Sequence, residues 1–245
     1  MIEGNFEGNE KTEKIYCGVK RGKKKVFKKG KKEYEKLSDH IGLINTVLIS
    51  PMDTNLIYEG SETRRKFIDL IISQYDKEYL KTLIQYNKVL SHRNAYLKSI
   101  QQGGKFDSFS LQIWDEQLIE LGNAIFAVRV GFIDEFQEVF QTIYATISGG
   151  NESCKLSYKS QLQESSFKEL LAKSLPKEKY IGYTTKGIHK DDFVFEIEEK
   201  PLKKFGSQGQ QKTYLIALKL AHFKYIESKT NSKPILLLDI SYIFL

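Results

Sequence analysis

Two short stretches near the carboxyl end of the chain carry side chains that could handle phosphates. In KPILLLDI, an apolar run without alternation ends at Asp239, as expected of a strand buried on both faces inside a sheet. Ligands bind at the carboxyl ends of such strands, and a carboxylate there can hold a magnesium ion that bridges nucleotide phosphates. A buried strand that ends in Asp is also a common turn, so this match alone leaves both interpretations open.

The second stretch, SQGQQ, directly precedes a long apolar helix, TYLIALKLAHFKYI. Ser207 is a good N-cap, and Gly209 lets the backbone pass close to a ligand. The exposed amides and the positive dipole end of such a helix form an anion site, although an ordinary capped helix is the alternative. The position of the SQGQQ stretch in the chain is informative. A helix that begins with Ser-Gln-Gly comes before a strand that ends in Asp, and the signature helix and Walker B strand of ABC-type ATPase heads follow each other in this order.

The elements before these motifs change character along the chain. From Met1 to Ser50, short β-like runs broken by Gly, Asn and Lys predict an antiparallel meander that ends in a buried strand. A Ser-Pro turn follows, and Ser61 indicates a capped helix start. Further along, CKLSYKS predicts a strand, QESSFKELLAKSL a helix, and FVFEIE another strand.

Two apolar stripes at helical spacing occupy the middle of the chain. The first lies between Asp76 and Ile100 and is interrupted at Arg93; the second begins at Leu111, after a loop from Gln101 to Asp107. Their spacing predicts an antiparallel helix pair, which Gly149-Gly150 ends. The charged residues opposite the stripes favour an arm that projects from a body, and a hairpin within an α-helical core is the alternative.

Composition favours a polyanionic partner. The net charge is +7, and lysine and arginine gain binding energy by releasing counterions from phosphates. Much of this charge lies in KRGKKKVFKKGKK, which makes Lys23, Lys24 and Lys25 candidates for DNA contact, or merely the solvated face of a hairpin. The sequence lacks a membrane-length apolar run and a secretory signal, so we expect a soluble, cytoplasmic protein.

Three segments together resemble the RecF family. SQGQQKTYLIALKLA followed by KPILLLD is similar to its signature and Walker B region, and GIHKDDFVFEI resembles the Gly-Pro-His-Arg-Asp-Asp loop and strand that precede it. The stretch from SPMDTNLIYEGSETRRKFID onward is similar to the RecF segment that leads into the helical arm. These segments are collinear and cover at least half of the chain.

The resemblance implies an α/β fold, namely a partial Rad50/SMC-like ABC ATPase head with a mixed sheet plus helices and an inserted α-helical arm domain. We expect residues 1–70 to form the remainder of the first head lobe, 71–178 the arm, and 179–245 part of the second lobe. A competent head needs a P-loop, GxxxxGK[ST], and the sequence has none. Lys11-Thr12 has Asn5 and Glu10 where the two glycines must be, and Gly104-Lys105 is followed by Phe106.

The resemblance also implies roles for individual residues. ATP and Mg²⁺ are the cofactors of the family, which dimerises around ATP. Arg64 and Arg65 match paired arginines that could contact DNA, or could only pair with nearby acids. The residues of the GIHKDD loop match the family's loop in type. We favour a structured turn for this loop and a structural role for His189. By this carry-over, the contacts to the γ-phosphate of the partner's ATP are Ser207, Gln208, Gly209 and Gln210. The magnesium ligand is Asp239. The loop consists of His189, Lys190, Asp191 and Asp192.

The end of the sequence departs from the family, since a second acid should follow Asp239 and Ile240 stands there instead. We therefore expect a truncated form that begins after the P-loop and binds no ATP tightly on its own. Negligible hydrolysis should follow, because phosphoryl transfer depends on electrostatic stabilisation, although whether the chain is an enzyme stays open.

The leading hypothesis is a RecF-like DNA replication and recombinational repair protein. Its partners would be single-stranded or gapped DNA and recombination mediator proteins. One alternative is a DNA- or protein-binding fragment that works independently of nucleotide. Another is a different head of the SMC or Rad50 type, against which the short arm argues.

Overall fold

The chain begins with a four-stranded antiparallel meander. The computed structural model describes residues 1–8 and 11–239. In it, β1 (Ile2–Gly8), β2 (Lys11–Gly18), β3 (Val26–Lys29) and β4 (Lys32–Glu33) pair in chain order. This confirms the predicted meander. Glu10 and Ile240, on which two of the sequence arguments depend, lie outside the described residues.

A single strand and two helices lead from the meander to the arm. β5 (Thr46–Ile49) buries Val47 and Ile49 and exposes Leu48, so only one of its faces is covered. α1 (Asn55–Tyr58) and α2 (Ser61–Tyr75) follow. The predicted helix start at Ser61 is right, but the capped start is wrong, because Gly60 is the N-cap and no side chain caps the helix. The Ser61 hydroxyl instead accepts from Arg65 Nη1 at 2.7 Å.

A helical hairpin forms the middle of the chain, as the stripes predicted. α3 (Lys77–Gln101) and α4 (Ser108–Ser148) pack against each other, and Asp107 caps α4 by accepting from the Ser110 N–H at 2.9 Å. Gly149 ends α4 in the left-handed conformation at φ 76°, which glycine adopts at little steric cost. The loop and the helix end are therefore where the sequence predicts them.

Arg93 continues the apolar stripe rather than interrupting it. Its side chain is fully buried between α3, α4 and the next helix, where it donates to Asp115 at 2.6 Å, Glu178 at 2.7 Å and Thr184 Oγ1 at 2.8 Å. Burial by itself would raise the pKa of Glu178, but the Thr185 N–H and the Arg93 charge outweigh it and lower that pKa. The stripe thus buries an ion network in place of one apolar contact.

The carboxyl-terminal third adds a second antiparallel sheet and a long helix. β6 (Cys154–Lys159), β7 (Asp192–Ile197) and β8 (Lys200–Pro201) pair in that order, and α5 (Phe167–Ile181) lies between β6 and β7 in the chain. α5 extends beyond its predicted segment, through Pro176. α6 (Leu202–Phe205), α7 (Gln208–Thr230) and β9 (Ile235–Leu238) complete the described elements.

One hydrophobic core joins the arm to the body. The carboxyl-terminal half of α4 packs on α7 and β6, and aromatic side chains fill the contact. Phe140 lies 4.7 Å from Tyr214, and Phe132 lies 5.2 Å from Tyr225, between ring centroids. α4 therefore belongs to the hairpin and to the body at once, while the domain boundaries at 70/71 and 178/179 stay a prediction.

β9 differs from expectation in its burial. It pairs in parallel with β5, yet Ile235, Leu237 and Leu238 are 39–47% exposed. Within residues 1–8 and 11–239, α7 covers β5 rather than β9, so the expected burial of this strand on both faces is wrong.

None of the helices in the described part of the chain has both the length and the apolar character needed to cross a membrane.

The Arg93 network generates a stability prediction. Arg93→Met should lower the free energy of unfolding by about 3–5 kcal/mol, because it leaves the Glu178 carboxylate buried without its cation. Urea denaturation measures the difference. Lys88→Met, at an exposed position of the same helix, is the matched control and should change the free energy by less than about 0.5 kcal/mol. Equal effects of the two variants would contradict the assigned role of Arg93.

Candidate functional site

The carboxyl ends of two parallel strands meet at one edge of the body. Ile49 pairs with Leu238 in the register of β5 and β9, and the Asp239 N–H donates to the Ile49 carbonyl at 2.9 Å. Ser50 and Asp239 are therefore neighbours, and Asp239 is exposed. Ligands of open α/β sheets bind beyond such strand ends. We call this region the β5/β9 edge.

The turn after β5 links this edge to α7 through Asp53 and Lys219. Sequence analysis missed both residues. The Asp53 carboxylate accepts from the Ser50 N–H at 2.8 Å and pairs with Lys219 Nζ at 2.8 Å. Only 12% and 11% of these two side chains are exposed. A lysine inside the apolar run TYLIALKLAHF was the available signal, because lysine is almost never fully buried unless it is paired.

Ser207 caps α7 as predicted. Its Oγ accepts from the Gln210 N–H at 3.2 Å, and its own N–H donates to Gln210 Oε1 at 2.7 Å, which forms a capping box. Gln210 Nε2 also donates to Glu152 Oε1 at 2.8 Å. Because Ser207, Gln208 and Gly209 are exposed, the positive end of the helix dipole faces solvent.

This helix start and the β5/β9 edge lie far apart within one chain. Lys219 lies twelve positions after Ser207 along α7, and its partner Asp53 belongs to the edge. At 1.5 Å per residue this spacing is about 18 Å along the helix axis. The structure therefore does not bring residues 207–210 and Asp239 to the same phosphate within one chain.

The paired arginines bind acceptors of the protein itself. Arg64 forms a bidentate pair with Asp192, with Nε to Oδ1 at 2.8 Å and Nη2 to Oδ2 at 3.0 Å, and also donates to the Leu56 and Glu59 carbonyls. Arg65 Nη1 donates to the Asp191 carbonyl at 2.5 Å. These contacts hold the start of α2 against β7, and a role of either arginine in DNA contact stays a prediction.

His189 has the surroundings of a structural residue. Its Nε2 lies 3.2 Å from the Thr184 carbonyl, which can only accept, so Nε2 carries the proton and Nδ1 accepts from the Tyr86 hydroxyl at 2.8 Å. Burial lowers the pKa of His189 to about 4. A neutral ring with both nitrogens occupied agrees with the expected structural role.

Behind this loop lies a buried arginine that sequence analysis also missed. Arg129 of α4 is 1% exposed and donates to Asp69 at 2.9 and 3.0 Å, to the Ile188 carbonyl at 3.0 Å and to Asp191 at 3.3 Å. Burial opposes its charge, but Tyr79 and Asp69 outweigh burial and raise the pKa of Arg129. The signal was its spacing of four residues from Ile125 and three from Phe132, although the predicted stripe passed through Val128 instead.

The remaining candidates lie on the surface. Lys23, Lys24 and Lys25 are exposed in the turn between β2 and β3, and Lys190 is exposed at the end of the His189 loop. No structural contact explains the three lysines of the turn, so a solvated hairpin and a nucleic-acid surface both fit this part of the structure.

The comparisons with known proteins decide the family. No protein-family model matches the chain. Over 239 residues it is 50% identical to the DNA replication and repair protein RecF of Flavobacterium johnsoniae, and the match covers 98% of the chain and 67% of that protein. The chain belongs to the RecF family. It is also 49% identical, over 98% of its length and 65% of the relative, to RecF of Azobacteroides pseudotrichonymphae.

The solved structures agree with this assignment. The chain matches a structure of the recombination mediator protein RecF-ATP in the RecFOR pathway, at a TM-score of 0.87 and 34% identity, over 96% of the chain and 65% of that protein. This confirms the resemblance and the α/β head fold with its helical arm. The chain spans about two thirds of the length of the RecF proteins it matches.

In this RecF-family chain, the lowered pKa of His189 predicts how the free energy of unfolding depends on pH. Because its folded pKa of about 4 lies below the ordinary 6.5, the unfolded state binds more protons between these values, and stability falls as the pH falls through this window. From pH 6.5 to 5, wild type should lose about 1.6 kcal/mol more than His189→Gln. Urea denaturation at both pH values measures this difference, and identical losses would contradict the assignment of a neutral buried ring.

Proposed function

We propose that this chain contributes one part to each of two different nucleotide sites in an ATP-binding DNA repair protein. Residues 207–210 would contact the γ-phosphate of an ATP molecule held by another subunit, and Asp239 would serve the magnesium ion at the chain's own β5/β9 edge. The observation that carries the proposal is the separation of about 18 Å along α7. Two groups that cannot share one phosphate within a chain can share one across a symmetric dimer.

The residues present fit these ligands. The start of α7 is exposed and offers backbone N–H groups and a positive dipole end to an anion. Asp239 offers carboxylate oxygens, and Mg²⁺ in phosphate sites is usually held by one or two carboxylates together with the phosphates. When bound, the ion would neutralise phosphate charge. We expect no tight ATP binding by this chain alone, because its sequence contains no GxxxxGK[ST].

The helix start predicts an ATP-dependent association with a RecF protein that carries the rest of the head. Mixed with Mg²⁺-ATP and full-length RecF of Flavobacterium johnsoniae, the chain should form a heterodimer that sedimentation velocity detects. Gln208→Arg should reduce the heterodimer at least tenfold, since a long side chain obstructs the start of α7.

Gln112→Arg is the matched control, because Gln112 is an exposed residue of the arm that pairs with Glu116. It should leave the heterodimer unchanged. Association that ignores ATP, or an equal loss in both variants, would contradict a contact in trans through residues 207–210.

We further propose that the partners include DNA and recombination mediator proteins. The net charge of +7 and the exposed lysines at positions 23–25 support the DNA contact. The solved relative is described as a recombination mediator in the RecFOR pathway, which supports the protein partners. Binding of DNA without any effect of nucleotide is the second candidate function, and the same charge supports it.

The lysine turn generates a salt-dependence prediction for duplex DNA. The triple substitution of residues 23–25 by Gln should reduce the slope of log affinity against log salt by about 0.9 for each phosphate that the turn no longer neutralises. Fluorescence anisotropy at several salt concentrations measures the slope. The control replaces Lys81, Lys88 and Lys168, three exposed lysines elsewhere, and removes the same charge. If both triple variants change the slope equally, net charge rather than the turn governs binding.

A further inference from the structure

The far end of the helical arm exposes aromatic rings beside a cation. Tyr180 and Tyr183, at the end of α5 and just after it, are 83% and 48% exposed, and Phe106, in the loop between α3 and α4, is 40% exposed. Lys179 Nζ lies 3.5 Å from the centroid of the Phe106 ring. We call these four residues the arm-tip surface. Apolar surface that is exposed together in one region can mark a site of interaction.

Hydrogen bonds hold the segments of the arm-tip surface together. Gln101 Nε2 donates to the Tyr180 carbonyl at 3.2 Å, which joins the end of α3 to the end of α5. The Tyr96 hydroxyl donates to the Asp107 carbonyl at 2.9 Å and accepts from the Asp107 N–H at 2.7 Å, which fixes the loop that carries Phe106. A shallow cavity of about 660 Å³ opens between Ile100, Lys179 and Tyr183. The rings therefore stand on a supported surface.

The charge around these rings favours a polyanion. The two segments that build this end of the arm, residues 96–113 and 173–186, contain six lysines and two acids. One of the acids, Glu178, is fully buried against Arg93, and the other, Asp107, caps α4. The exposed rings thus lie in a strongly basic region. A polyanionic partner fits this region better than a basic or purely apolar one.

We propose that the arm-tip surface binds single-stranded nucleic acid, with bases stacked on Tyr180 and Tyr183 and the backbone phosphates near the surrounding lysines. Aromatic side chains in a basic groove bind single strands in this way, because every base has a face that can stack. In a duplex these faces are already occupied by neighbouring bases. The inference rests on the proposed DNA function and specifies where a single strand is contacted.

The location makes this contact separable from the nucleotide sites. α3 has 25 residues and is about 37 Å long, and the arm-tip surface lies at its far end from the body. The lysine turn of residues 23–25 belongs to the meander, a different part of the chain. Substitutions at the arm tip should therefore leave duplex binding and ATP-dependent association unchanged.

The test measures binding of a fluorescent 20-nucleotide oligo-dT to the full 245-residue chain at low salt. Tyr180→Ala combined with Tyr183→Ala should weaken binding by about 30-fold or more, since each base that no longer stacks on a ring costs about 1 kcal/mol or more. Tyr180→Phe combined with Tyr183→Phe keeps both rings and should bind within about twofold of wild type. Both positions are exposed, so neither variant should change folding, which circular dichroism verifies.

The possible results separate this inference from the proposed function. Unchanged oligo-dT binding in the alanine variant, or an equal loss in the phenylalanine variant, overturns stacking at the arm tip. Wild-type chain that binds duplex DNA but no oligo-dT overturns this inference alone. Wild-type chain that binds neither overturns this inference and the DNA function together.

Discussion

The structure depends on one buried charge, the guanidinium of Arg129. It lies where α2, α3, α4 and the loop after α5 converge, and it donates to Asp69, Asp191 and the Ile188 carbonyl. These acceptors belong to α2 and to the loop, so a single side chain of α4 fixes the relative positions of all three segments. A buried charge without these partners would cost several kcal/mol. The helices and the loop must therefore pack together for Arg129 to be buried.

The same arrangement explains why the loop with His189 is structured. Asp191 Oδ2 accepts from both the Arg129 guanidinium and the Tyr158 hydroxyl, while Arg64 joins Asp192 to the start of α2. The arm and the body are thus joined by ion pairs as well as by the aromatic contact of α4 with α7. Arg93 repeats the principle further along the arm, where it joins α3, α4 and α5.

The candidate regions lie at the ends of the elements that these ion pairs join. Lys219 and Asp53 tie α7 to the β5/β9 edge, and the same helix carries its exposed start at Ser207 about 18 Å away. The aromatic arm-tip surface lies at the opposite end of α3. Buried ion pairs therefore join the elements that carry these three candidate regions.

The sequence by itself determined the elements and the identities of the candidate residues. The meander, the hairpin with its loop after Gln101, the end of α4 at Gly149 and the cap at Ser207 are local features, because periodicity, glycine and capping side chains act within a few residues. The family resemblance likewise follows from contiguous motifs. These features could therefore be predicted without coordinates.

Only the tertiary structure decided which groups meet. Arg93 and Arg129 have the spacing of core positions, but their charge is acceptable there only because Glu178 and Asp69, distant in the chain, provide anions. The partner of Lys219 and the exposure of β9 also depend on contacts between remote segments. No local pattern encodes such pairings, since the free energy that stabilises a buried charge comes from residues that folding alone brings together.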